Sequence, residues 1–179
     1  LSCGVCHSDF LGVEGVRPDP SQPVVPGHEI VGVVDVVGSG VTAWQVGDRV
    51  GLGYLGGPCG ECSQCRRGDF VNCLNQPQPG TTEDGGYAEM VYARASGLVR
   101  VPEVMNPIEA APLLCAGITT FNALRHADAP QGAVVAIQGI GGLGHLGVQY
   151  ATQLGYRTVA IARGPEKEEL ARSLGAEYY

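Results

Sequence analysis

Several things are scarce in this chain. Aromatic side chains make up 6% of its 179 residues and charged ones 16%. Its longer uncharged runs are broken by glycine, proline and polar residues, so no segment reads as a membrane span. Lys and Arg number 11 against 18 Asp and Glu, a formal net charge of −7. No stretch gathers the basic residues into a surface that tracks a phosphate backbone, and nucleic acid is not an expected partner. A secretory signal is missing as well: the chain opens at Leu1 with neither a basic n-region nor an apolar h-region. We therefore expect a cytoplasmic protein. There is no initiator Met, and the chain stops at Tyr179 just after a helical pattern, so both ends are expected to be cut from something longer.

What is present fits a folded chain. Hydrophobic residues make up 44%, too many for disorder, and Gly numbers 28, which points to tight turns and close backbone approaches. Short β-branched runs at 30–37, 49–52, 86–91 and 98–101 lie between glycine turns and predict an irregular, mostly antiparallel β domain. Asn106, Pro107 and Glu109 then mark a helix start, and a helical region follows to about 124, interrupted near Pro112. The turn-rich stretch 128–132 places a domain boundary, giving units 1–127 and 128–179. Beyond it come strand 133–138, a glycine loop, helix 142–154, strand 157–162 and helix 165–174. That β-α-β-α order begins a doubly wound parallel sheet, α/β in class, of which two strands are legible against the usual six or so.

Four of the seven cysteines, Cys59, Cys62, Cys65 and Cys73, crowd into fifteen residues with C-x2-C-x2-C spacing. Cysteines two residues apart make poor structural disulfides, and four thiolates at this spacing can converge on one tetrahedral zinc ion. With every corner taken by protein, that site is expected to be structural. Three more candidate ligands, Cys6, His28 and Cys115, are scattered. Taken singly, each is equally explained as a core cysteine or a satisfied loop histidine.

Gly139-Ile140-Gly141-Gly142-Leu143-Gly144 fits G-x-G-x-x-G between an apolar strand and an apolar-periodic helix. Gly139 allows the turn, Gly141 and Gly142 let a pyrophosphate approach the helix N-terminus, Leu143 lies in that approach, and Gly144 permits close packing. An ordinary βα turn remains the alternative. About 20 residues on, where an NAD site usually offers a carboxylate, the chain has Ala162 and then Arg163. A guanidinium without that carboxylate suits a 2′-phosphate, so NADP is favoured over NAD. Glu166, Glu168 and Glu169 just downstream argue the other way unless they serve their own helix.

GVCHSD, PGHEIVGVV, VGDRVGL, CGECSQC and LLCAGIT, in this order, resemble the zinc-dependent medium-chain alcohol dehydrogenases, most of all their microbial and cinnamyl alcohol dehydrogenase branches. The resemblance implies a GroES-like catalytic domain ahead of a Rossmann domain. It also implies a catalytic zinc on Cys6, His28 and Cys115 with a fourth position open, beside the structural zinc. It gives Asp9 the task of holding the His28 ring, places Glu29 beside the metal, and makes Ser8 the partner of the substrate oxygen. His7 resembles a pyrophosphate contact and Thr119 a position near the nicotinamide. One departure stands out: the family commonly has a histidine five residues after the first zinc cysteine, where this chain has Leu11. Tyr54 either shapes a substrate pocket or is a half-buried strand aromatic.

The expected activity is hydride transfer between an alcohol and an aldehyde or ketone through a nicotinamide cofactor. The partners expected are a small alcohol or aldehyde and, for the complete protein, further copies of itself. A zinc-free quinone or enoyl reductase on the same fold, or a bare zinc-binding module without activity, are the alternatives. These residues alone are expected not to turn over substrate.

Overall fold

A computed structural model describes residues 1–16 and 23–179. Packing divides the chain into two units, Leu1–Cys115 and Ala116–Tyr179. The sequence places its boundary later, at the turn containing Asp128, whereas packing assigns the helix before that turn to the second unit, because it lies against the first helix of the β-α-β-α stretch.

In the first unit four short strands form one antiparallel sheet in chain order, β1 (Ser2–Cys3), β2 (Ile30–Val33), β3 (Arg49–Leu52) and β4 (Leu98–Arg100). Register pairs Ser2 with Val31, Val31 with Gly51 and Gly51 with Val99. Val31 is fully buried and packs with Val101, Ala110 and Ala111. Its burial alone is worth about 1.5–3 kcal/mol. Gly51 has to be small, because a Cβ there would come within 2.8 Å of the Leu114 side chain.

The sheet is shorter than the sequence suggests. β2 ends at Val33, and the run at 86–91 forms no strand. The amides of Gly86 and Tyr87 instead donate to the carbonyls of Gly27 and Pro26, so local β propensity yields to a loop pairing. A six-residue helix, α1 (Ser8–Val13), follows Cys6. A single turn, α2 (Ser63–Arg66), lies inside the cysteine cluster. α3 (Pro107–Ala110) starts as expected, with the Asn106 side chain accepting from the Ile108 amide, a cap worth about 1 kcal/mol. A 3-10 turn at Ala111–Leu114 then carries the chain through Pro112.

The second unit holds α4 (Ala116–Arg125), β5 (Val134–Gln138), α5 (Gly142–Gln153), β6 (Arg157–Ile161) and α6 (Glu168–Ser173). β5 and β6 pair in parallel, and Tyr178 adds a parallel bridge to Val159. Its core is Ile140, Val148, Ala160, Ala171 and Ala176. Among the described residues no helix is long and apolar enough to cross a membrane.

Candidate metal centres and glycine loop

Among the described residues, two groups of side chains converge in the first unit. The ligand atoms of Cys6, His28, Glu29 and Cys115 all lie within 4.8 Å of one another, and so do those of Cys59, Cys62, Cys65 and Cys73. All seven cysteines are free. The sulfurs of Cys6 and Cys115 are 3.9 Å apart and those of Cys59 and Cys65 4.0 Å. A disulfide needs about 2.05 Å. Two sulfurs on one tetrahedral zinc, each at about 2.3 Å, stand about 3.8 Å apart, and both pairs are close to that edge.

Cys6 sits in the turn before α1, His28 and Glu29 just ahead of β2, and Cys115 where the 3-10 turn gives way to α4. Gly27, directly before His28, has φ +100°, and a Cβ there would come within 2.8 Å of both Cys3 Sγ and the Tyr87 ring. The loop can close only on a glycine. His28 is 2% exposed; its Nδ1 faces Asp9 Oδ1 at 3.1 Å. Neutral imidazole that donates from Nδ1 keeps its lone pair on Nε2. That Nε2 is buried and has no hydrogen-bond partner among the described residues. A buried acceptor left unpaired costs about 1–3 kcal/mol, and a cation held between the two sulfurs removes that cost.

Asp9 is itself buried, with its Oδ2 accepting from the Cys6 amide at 2.9 Å and from the Tyr87 hydroxyl at 2.7 Å. Burial pushes the Cys115 thiol up to about 12, helped by the neighbouring Cys6 sulfur. The Glu29 carboxyl is raised, first by burial and then by the Asp9 charge, while the Cys115 thiol donates to it and opposes the rise. Without a cation the site holds protons that a metal would displace. Tyr54 is half-buried and turns an edge to the His28 ring, 5.3 Å between centroids. Ser8 is exposed at the start of α1, His7 is exposed at its N-cap, and Leu11 is 44% exposed on the same helix. Tyr87 lies outside the sequence motifs, and although Gly27 lies within PGHEIVGVV, its close seat is made by Cys3 and the Tyr87 ring, which only the fold brings to it.

In the other cluster the Cys62 sulfur caps α2 by accepting from the Cys65 amide, and the Cys59 amide points at Cys73 Sγ at 3.3 Å. Amides of Leu74 and Cys65 lower the Cys62 thiol to about 6. Burial pushes Cys65 up to about 12. Four sulfurs fill four corners and leave no place for a substrate.

In the second unit Gly139 has φ +85° and turns the chain out of β5. A Cβ on Gly144 would overlap the Gly139 carbonyl oxygen, whereas Cβ atoms on Gly141 and Gly142 would meet open space. Leu143 is exposed in the first turn of α5. The loop is thus closely packed behind and open in front, as phosphate approach requires. Ala162 and Arg163 follow β6, with Arg163 exposed. Glu168 is engaged by Arg172 at 2.8 Å along α6. The Lys167 ammonium donates to the Ile140 carbonyl at 2.7 Å and ties the start of α6 to the glycine loop. Thr119 is exposed on α4.

Residues 1–103 match the family model described as the alcohol dehydrogenase GroES-like domain. The chain is 51% identical over 178 residues to alcohol dehydrogenase patD of Aspergillus clavatus, an overlap of 99% of this chain and 46% of that protein. It resembles the solved structure of CAD from Helicobacter pylori complexed with NADP(H), with TM-score 0.89 and 31% identity, covering 98% of this chain and 53% of that one. It also resembles a cobalt- and zinc-bound thermostable alcohol dehydrogenase from Pyrobaculum aerophilum, with TM-score 0.85, 34% identity and 98% and 54% coverage. The chain spans about half the length of these relatives.

Proposed function

The chain belongs to the alcohol dehydrogenases with a GroES-like domain, and from that premise we propose that it carries the zinc-binding part and the first cofactor-binding elements of an NAD(P)-dependent alcohol dehydrogenase. The observation that supports this most is the buried, unpartnered His28 Nε2 beside two sulfurs 3.9 Å apart. Cys6, His28 and Cys115 would hold the catalytic zinc, and Cys59, Cys62, Cys65 and Cys73 a structural one. Bound at the first site, zinc supplies Lewis acidity of the kind that lowers the pKa of water from about 15.7 to about 7.

The chain's own side chains do the rest. Asp9 keeps the His28 ring in the tautomer that frees Nε2. Glu29, whose carboxylate lies among the same ligand atoms, would serve as an exchangeable ligand. Ser8, exposed at the start of α1, would hydrogen-bond the substrate oxygen and begin a proton relay, its hydroxyl taking the substrate's proton as it gives its own to the nicotinamide ribose. His7 and Thr119 contact the pyrophosphate and nicotinamide ends of the cofactor, and Gly139, Gly141, Gly142, Leu143 and Gly144 form its phosphate turn. Arg163, with no carboxylate at Ala162, selects NADP over NAD. Residues 1–127 then form the catalytic domain and 128–179 open the cofactor domain. The substrate is a small primary or secondary alcohol or its carbonyl partner, and the protein that carries this chain assembles from copies of itself in the cytoplasm.

The test has two parts. Metal analysis of the chain is expected to give two zinc ions; one or none returns the zinc-free reductase reading. Oxidation of a panel of alcohols by the protein that carries this chain is expected with NADP ahead of NAD; a strong NAD preference refutes the role of Arg163.

A further inference from the structure

Asp9 collects more donors than holding an imidazole requires. Its Oδ1 faces His28 Nδ1 at 3.1 Å and accepts from the Gly27 amide at 3.3 Å. Its Oδ2 accepts from the Cys6 amide at 2.9 Å and the Tyr87 hydroxyl at 2.7 Å. Three of these donors come from the two loops that carry Cys6 and His28. The fourth, and shortest, comes from 78 residues further along the chain. The Tyr87 hydroxyl also lies 3.1 Å from the Gly4 carbonyl. A phenol has one hydrogen, and a nearer, charged oxygen is the stronger acceptor, so the hydrogen goes to Asp9. The ring is seated with equal care: it lies against Gly27 where a Cβ would come within 2.8 Å, directly before the His28 backbone.

We propose that Tyr87 is a positioning residue of the metal centre, whose hydroxyl fixes the Asp9 carboxylate and through it the His28 ring, with Nε2 turned to the sulfurs of Cys6 and Cys115. The proposal rests on the zinc reading of that site. A carboxylate gripped at both oxygens from two sides cannot rotate about its terminal torsion. Without the phenol, Oδ2 loses its shortest bond and keeps only the Cys6 amide, so the carboxylate, and the imidazole bonded to it, are held less firmly. Partners one step removed from a metal ligand typically change metal affinity about 10–100-fold; Tyr87 acts through Asp9, so the low end is expected.

The experiment loads the 179-residue chain with Co(II), whose visible bands differ between a four-sulfur and a two-sulfur, one-imidazole site, and then removes metal with a chelator. Tyr87→Phe is expected to loosen cobalt at the Cys6, His28 and Cys115 site about tenfold and to alter its bands, with the four-cysteine site unchanged as internal reference. Tyr87→Leu, which removes the ring as well, is expected to loosen it at least as much. In an Asp9→Asn background, Tyr87→Phe is expected to add nothing, because the two act in series. Wild-type bands and release rates in Tyr87→Phe overturn the proposal. So does loosening by Tyr87→Leu alone, which assigns the effect to packing, or a full added factor in the double variant. A wild-type chain that binds cobalt only at the four cysteines overturns instead the zinc reading beneath it.

Discussion

Asp9 Oδ1 stands 3.1 Å from His28 Nδ1, and both side chains are almost entirely out of water. A neutral amide in place of that carboxylate keeps the shape and loses the charge that makes the imidazole a strong donor to metal. Asp9→Asn is therefore expected to weaken zinc at the Cys6, His28 and Cys115 site by about 10–100-fold. Competition with a chelator measures it, the four-cysteine site serving as reference. Unchanged affinity would show that the pair is incidental.

Between Cys59 and Cys73 the only buried residue is Cys65, while Phe70 and Val71 are more than half exposed. Such a lobe has no core of its own, and metal binding supplies its folding free energy. Cys62→Ser is expected to remove one zinc, and exhaustive chelation both, and either is expected to let the amides of 59–73 exchange rapidly, while those of β2 and β3 stay protected. Hydrogen exchange resolved by segment checks this; a lobe still protected without metal would mean that packing holds it.

The glycine loop offers a paired test. In Gly144→Ala the new methyl meets the Gly139 carbonyl oxygen, a backbone atom that cannot swing aside. Overpacking of this kind costs about 1–3 kcal/mol, read as a lower melting temperature. Gly141→Ala meets open space at φ −118°, a conformation open to any residue, and is expected to melt with the wild type. Equal losses from the two substitutions would discard the packing argument.

Much of this was legible in the residues themselves, for local reasons. The four-cysteine spacing, the Asn106 cap and the strand-loop-helix around Gly139 each lie within twenty residues, so their chemistry is written next to itself. Cys6 and Cys115 lie 109 residues apart, and only their resemblance to a known family joined them. Tyr87 was illegible because its hydroxyl and its backbone amide both bond across the chain, to Asp9 and Pro26, and that pairing also undoes the strand expected at 86–91. Nothing in Ser-Asp-Phe-Leu-Gly-Val announces helix α1, because the segment has little helix propensity; the amides of Asp9 and Phe10 begin it by donating to the Cys6 and His7 carbonyls.

Leu11 stands on α1 where the resembled family commonly keeps a histidine, and an alkyl side chain cannot carry a proton. Alcohol oxidation by the protein that carries this chain is expected to be slower near neutral pH than in a Leu11→His variant, whose imidazole is free to take a proton there and loses that ability as pH falls through its titration. The pH dependence of kcat for the two proteins decides. Superimposable profiles would show that the proton leaves by a path that never touches this position.

Arg157 and Glu177 form a pair on the surface of the second unit, Nη2 to Oε1 at 2.7 Å, with the guanidinium also over the Tyr178 ring at 5.6 Å. The guanidinium lowers the Glu177 carboxyl to about 2, against about 4.3 in an unfolded chain. A depressed carboxyl contributes stability that is fully present above the unfolded value and is lost as pH falls through the folded one. The contribution therefore persists at pH 6 and fades between about pH 4.5 and 2. Both groups are roughly half exposed, so salt screens the pair and its worth is small. Glu177→Gln is expected to lower the melting temperature slightly at pH 6 in low salt and not at all near pH 2. A difference that stays constant across that range would mean that the side chain acts through shape and hydrogen bonding rather than charge.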